Sequence, residues 1–168
     1  GDRRGATWKI PICVAAEGAT APACGMLTAP TGEIDLAKGR CPRWIYPNAQ
    51  ENGYFRFALP PQQLAALAEA GHALDVRSRV GLVNDAWALV QSGDLGSDAL
   101  LDLVASMRGE KNRTVLDQVT VALRGVSDKL VDDATRPAFR AYVSSVLGPT
   151  ARGLGFEPRP RESDDAKL

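Results

Sequence analysis

The hydrophobic period of the chain changes at Pro60-Pro61, and that change limits what the chain can fold into. Before it, apolar residues recur at every second position. After it, they recur at every third or fourth. A period of two lines one face of a strand, and a period near 3.6 lines one stripe of a helix. A chain that keeps the two in separate stretches is expected to be α+β, with its strands first and its helices after them.

The first stretch holds five strand-like segments. Trp8–Val14 alternates, and its Pro11 suits an edge or a bulge better than a central ladder. Cys24–Thr28 follows a loop of small residues from Gly18 to Pro22, and Pro30-Thr31-Gly32 reads as a turn. Glu33–Leu36 alternates cleanly, Arg43–Tyr46 is a fourth segment, and the aromatic Gly53–Leu59 is the fifth. Short strands separated by turn residues predict a small antiparallel β-sandwich over residues 1–59.

Residues 60–168 predict the start of an all-α domain. Gln62–Ala70 carries Leu64 and Leu67 on one face and stops at Gly71. Asp75 is a candidate N-cap for a second helix that repeats Val80, Val83, Trp87 and Val90 along one stripe, with Leu82, Ala86 and Leu89 along another. Gly93 ends it. Ser97 is expected to cap a third helix, with Leu100, Leu101, Val104 and Met107 inward and Gly109 beyond its end. Asn112 is expected to cap a fourth, with Val115, Val119, Ala122 and Val126 inward. Thr135 begins a fifth, with Phe139, Tyr142, Val143 and Val146 on its apolar face, and Gly148-Pro149 is expected to interrupt it. Short connections imply an array of antiparallel helix hairpins. The tail from Arg159 to Leu168 resembles the beginning of another helix, capped by Glu162 or Ser163 and led by Asp164 and Asp165. One turn does not support itself in water, so the chain is expected to be part of something longer.

Charge and composition remove several functions. Twenty basic and twenty acidic residues cancel, whereas a protein that holds phosphates by bulk electrostatics shows a basic excess, so no nucleic-acid partner is expected. No apolar run approaches the roughly 20 residues that span a bilayer, and no membrane partner is expected. The first five residues have no apolar core behind them and are not read as a signal peptide. The one histidine, His72, lies in a Gly-containing break and reads as a solvated loop residue; metal sites and most catalytic triads need more than that. Cys13, Cys24 and Cys41 form no C-x-x-C pair. They are either buried thiols or one disulfide with a cysteine left over. Compartment stays open.

Four segments, in order, carry a family resemblance. Trp8-Lys9-Ile10-Pro11-Ile12 resembles a W-x-I-P-hydrophobic strand, and Asn48–Phe57 resembles an N-x-x-x-x-G-Y-Y-R strand. Arg79–Leu89 is similar to an R-x-x-L-x-x-D-A-F-x-L helix, and Gly153–Pro158 with Glu162-Ser163 is similar to an L-G-W-x-P…E-S segment. The set resembles the C-terminal half of the gluzincin-type zinc aminopeptidases related to aminopeptidase N. The resemblance implies a small β-sandwich followed by the first part of an all-α C-terminal domain. It also implies zinc in a parent enzyme, but the zinc-binding H-E-x-x-H and the G-x-M-E-N loop are absent here, and Gly25-Met26 is not that loop. No catalytic, cofactor-binding or metal-binding residue is therefore assigned to this chain.

The matched residues read as structural. Asp85, inside an apolar helix, needs donors if buried, and Arg79 is six positions away on another face, so the partner of Asp85 is expected to come from another element. Arg56 points away from Phe55 and Phe57. Trp44, Tyr46, Trp87 and Tyr142 read as core or interface residues, and Asp132-Asp133 as a solvated face. Two functions follow. One is a non-catalytic fragment of a zinc aminopeptidase that supplies scaffold and access gating, with the upstream catalytic domain and the peptide substrate as partners. The other is a stand-alone peptide- or protein-binding module. An uncovered helical face would also allow self-association.

Overall fold

In a computed structural model, residues 8–36 and 41–154 are described. Three strands come first: β1 (Ile10–Ala16), β2 (Ala23–Leu27) and β3 (Ile45–Tyr46). Five helices follow: α1 (Pro61–Glu69), α2 (Val76–Ser92), α3 (Ser97–Ser106), α4 (Arg113–Leu130) and α5 (Arg136–Leu154). Short 3-10 turns lie at Ala49–Glu51 and Gly71–Ala73. A small antiparallel strand layer giving way to helices is the α+β arrangement that the change of period predicts.

The sheet order is β2-β1-β3, antiparallel throughout. β1 meets β2 from Ile10↔Leu27 to Val14↔Ala23, and meets β3 only at Ala15↔Tyr46 and Ala16↔Ile45. Pro11 is therefore tolerated in a middle strand: at its level β1 has β2 on one side and no described strand on the other. Cys13 lies directly opposite Cys24, and the two are joined by a disulfide. Cys41 is free and exposed. The alternative of one disulfide with a cysteine left over is thus the one that the fold takes.

Two expected strands do not form. Glu33–Leu36 and Gly53–Leu59 belong to no ladder among the described residues. The alternation at 53–59 is nonetheless real: Tyr54, Arg56 and Ala58 are exposed, while Phe55, Phe57 and Leu59 are half-buried. Phe57 meets Tyr46 edge-to-face with ring centroids 5.1 Å apart. A period of two reports which side chains face inward. A strand also needs a second backbone within hydrogen-bonding reach, and the period does not report that.

The helix boundaries follow local chemistry with two corrections. Asp75 caps α2, its Oδ1 accepting from the Ser78 N–H at 3.0 Å. Asn112 caps α4, its Oδ1 accepting from the N–H groups of Thr114 and Val115. Gly93 and Gly109, after α2 and α3, take φ of +82° and +85°, where a Cβ is penalised. The first correction concerns Ser97, which is the first residue of α3 and not its cap; Gly96 holds the cap position without a side-chain bond. The second concerns Gly148-Pro149, which does not interrupt α5: the helix continues to Leu154 with Pro149 inside it. Proline removes one bond of the helical ladder, and here tertiary contacts on both sides hold the helix. Val146 is buried, and the Thr150 hydroxyl donates to the Glu110 carbonyl at 3.2 Å.

The chain divides into two compact units after Ser78. The first gathers Val14, Ala16, Tyr46, Leu64, Leu67 and Leu74 into its core. α1 is helical by period yet lies against β3 and shares that core. The second unit buries Val83, Leu100, Leu103, Val104, Val115 and Val119, the facing stripes of α2, α3 and α4. Among the described residues no helix is long and apolar enough to cross a membrane.

Candidate functional site

In the first unit, polar side chains converge on the segment after β3. Asn48 is 2% exposed and Tyr46 is fully buried. Gly53 N–H donates to Asn48 Oδ1 at 2.8 Å, and Asn48 Nδ2 donates to the Gly53 carbonyl at 3.0 Å, which closes a side-chain-to-backbone loop across 48–53. Asn48 Nδ2 and the Tyr46 hydroxyl both donate to the Glu51 carboxylate. Gln50 and Glu51 take φ of 59° and 57°, a left-handed conformation that costs non-glycine residues energy. The bonds to Glu51 and the donation from Gln50 N–H to Ser78 Oγ hold that turn in place. Ser78 in turn donates to Asp75 Oδ2 at 2.8 Å. Burial pushes the Asp75 carboxyl up, but the donors of Ser78 and nearby backbone outweigh it and hold its pKa below the ordinary range.

The second unit holds a buried ion pair. Arg79 Nε lies 2.9 Å from Glu110 Oε2, with side chains 14% and 8% exposed. The Glu110 carboxylate also accepts from the N–H groups of Lys111 and Asn112. Burial alone would raise the Glu110 pKa; the two amides and the Arg79 guanidinium together lower it. Asp85 is buried at 5% exposure. The Tyr142 hydroxyl donates to the Leu101 carbonyl, and burial pushes its pKa up to about 12. Trp87 is buried, with Lys129 Nζ 5.6 Å from its ring centre. Asp132 and Asp133 are exposed, as their sequence suggests, and Asp133 pairs with Arg136 at 3.1 Å.

A groove of about 530 Å³ runs between α4 and α5. Leu123, Phe139, Val143 and Leu147 form its apolar part, and Arg124, Arg136 and Arg140 also line it.

These arrangements fix backbone and join helices. Among the described residues no three His, Cys, Asp or Glu side chains sit close enough to share a metal ion. The resemblance implies zinc in a parent enzyme, and with a single histidine this sequence carries no H-E-x-x-H set to hold it. Sequence alone points to a partner for Asp85 on another element and names none for Arg79, which pairs with Glu110 on the α3–α4 connection. It passed over Glu110 itself, and the only local hint was an acidic residue beside the Asn112 cap. The matched segment from Gly153 through Ser163 lies outside the described residues after Leu154, as does the expected helix start at Glu162 or Ser163.

Residues 44–168 match the family model of the ERAP1-like C-terminal domain. The chain is similar to aminopeptidase 2 of Candida albicans, with 32% identity over 114 residues, covering 66% of this chain and 12% of the relative. It is similar to aminopeptidase M1-B of Oryza sativa subsp. japonica, with 30% identity over 125 residues, covering 71% of this chain and 14% of the relative. A mitochondrial aminopeptidase 2 of Saccharomyces cerevisiae is 24% identical over 124 residues, covering 73% and 13%. The chain thus spans about an eighth of the length of the relatives that it matches.

Proposed function

Since the chain belongs to the ERAP1-like C-terminal domain family and represents a C-terminal region of an aminopeptidase N-like enzyme, we propose that it is a non-catalytic scaffold and access gate. The enzyme would be a zinc metallo-aminopeptidase that releases N-terminal amino acids from peptides, with its catalytic domain elsewhere in the same polypeptide. In this reading residues 1–59 form a β-sandwich domain, and residues 60–168 begin the helical domain. The observation that carries the proposal is the family match over 44–168. It falls on segments whose polar residues are used for internal bonding: Asn48, Glu51 and Ser78 in the first unit, Arg79 and Glu110 in the second. Groups bonded in this way hold the shape of the backbone around them.

The test is direct. Incubated with aminoacyl-coumarin amides and added zinc, the purified chain is expected to release no fluorophore. Turnover that a chelator abolishes would overturn the scaffold assignment. For gating, Glu110→Gln in the longer polypeptide is expected to change hydrolysis of long peptides relative to short reporters. An equal fractional change on both would remove the gating part.

A stand-alone module with no enzymatic parent does not accord with the family match; a peptide- or protein-binding role inside the enzyme would draw its support from the groove between α4 and α5.

A further inference from the structure

We propose that the Cys13–Cys24 bond is a redox latch on the β1–β2 ladder: oxidised, it holds β2 on β1; reduced, it releases β2 while β1, β3 and α1 stay folded. The Cα atoms of the two cysteines lie 4.1 Å apart, the narrow spacing of a facing pair that exchanges no backbone hydrogen bonds. The backbone bonds of the ladder therefore fall at the wide pairs on either side of it, Ile12↔Gly25 and Val14↔Ala23, and at Ile10↔Leu27. At the two flanking pairs the side chains add little. Gly25 offers Ile12 no side chain, and Ala23 offers Val14 a single methyl group. Facing side chains stabilise one strand against the next, and Gly and Ala are poor strand formers. This part of the ladder thus rests on its backbone bonds and on the sulfur–sulfur bond.

The other contacts divide the hairpin along the same line. A Cβ on Gly25 would lie 3.1 Å from Ile34, and one on Gly32 would lie 3.0 Å from Leu27, so β2 packs on the segment that follows it in sequence and leaves β1 together with that segment. β1 has separate anchors: Val14 and Ala16 lie in the core, Ala15 and Ala16 pair with β3, and Tyr46 of β3 meets Phe57. The bond joins residues with a sequence separation of 11, so an opened hairpin gains little freedom until the bond breaks. A dithiol supplies the reducing step. One of its thiolates attacks a sulfur of the bridge, the S–S bond breaks, and a mixed disulfide forms. Its second thiol then displaces the remaining cysteine sulfur. Two electrons and two protons pass to Cys13 and Cys24, and the reductant leaves as a cyclic disulfide.

The test uses the full chain as the Cys41→Ser variant, which removes the free thiol and confines exchange to the bridge. Nuclear magnetic resonance follows the cross-strand Hα–Hα contacts of the narrow pairs Pro11–Met26 and Cys13–Cys24, together with the Tyr46–Phe57 ring contact. Dithiothreitol is expected to abolish the cross-strand contacts and to bring the amides of 23–27 to the exchange rate of unfolded chain, with the ring contact kept. Reoxidation should restore the ladder. A chain that also carries Cys13→Ser and Cys24→Ser should match the reduced state without reductant. Cross-strand contacts that survive full reduction, or a double-serine chain that keeps the Pro11–Met26 contact, would overturn the proposal. Loss of the Tyr46–Phe57 contact together with the ladder would overturn it as well, since the bond would then hold the whole unit and not one strand.

Discussion

At the scale of single residues, Glu110 controls more than its position in a connection suggests. It accepts from two backbone amides and faces Arg79 in a nearly closed environment. Its folded pKa is lowered, so the unfolded chain binds the proton more readily at acid pH. The stabilisation is complete above the ordinary carboxylate value near 4.3 and is lost as pH falls through the lower folded value. Asp75 acts with the same sign. Thermal melts are expected to lose stability below about pH 4.5, and Glu110→Gln should remove part of that acid dependence. At neutral pH the same variant leaves Arg79 buried beside an uncharged partner, which is expected to cost about 3 kcal/mol in denaturant unfolding. Replacing both residues with leucine should recover much of that loss; no recovery would mean that the pair itself stabilises the unit. The Cys13–Cys24 bridge has a sequence separation of 11 residues, and a loop of that size stabilises by about 3 kcal/mol through the unfolded chain. A reductant should therefore lower the denaturant midpoint of the wild type, and it should leave a Cys13→Ser/Cys24→Ser chain unchanged. The caps Asp75 and Asn112 were legible in the sequence because capping depends on residues two or three apart. Glu110 was not, because its partner lies 31 positions away, between Arg79 and Glu110.

At the scale of elements, α4 and α5 illustrate two different limits of pattern. The inward row of α4, from Val115 to Val126, is buried as its period predicts. Within that helix, Gly125 has a function that the period does not express. A Cβ there would lie 2.3 Å from the Trp87 ring, too close for any rotamer to relieve without moving the indole. Alanine is the better helix former by about 1 kcal/mol, so propensity alone predicts that Gly125→Ala stabilises. Packing predicts the reverse, a loss of about 1–3 kcal/mol that calorimetry or denaturant titration would read. A higher melting temperature would show that the indole shifts freely. α5 gives the opposite lesson, since Pro149 should break it and does not. Neighbouring contacts at Val146 and Thr150 outweigh one missing ladder bond. The expected strand at 53–59 fails in a third way. Its alternation is correct at Phe55, Phe57 and Leu59, but no ladder partner accompanies it among the described residues.

At the scale of the whole molecule, the scaffold reading makes a prediction that does not depend on any one contact. A metal that binds only the folded state raises the melting temperature. No three-ligand cluster occurs among the described residues, so added zinc is expected to leave the melting temperature of the chain unchanged. A rise that a chelator reverses would indicate a ligand set. By itself the sequence determined the order of strand layer and helices, the starts of α2 and α4, the buried row of α4 and the family to which the chain belongs. All of these are written in residues near one another or in their periodic repetition, and short-range geometry maps each onto structure. Only the tertiary structure decided that α1 shares a core with the strands, that Cys13 meets Cys24, that Glu110 neutralises Arg79, and that α4 and α5 enclose an arginine-lined groove. Each of those depends on which distant surfaces meet, and no local period carries that information because it exists only once the chain has folded.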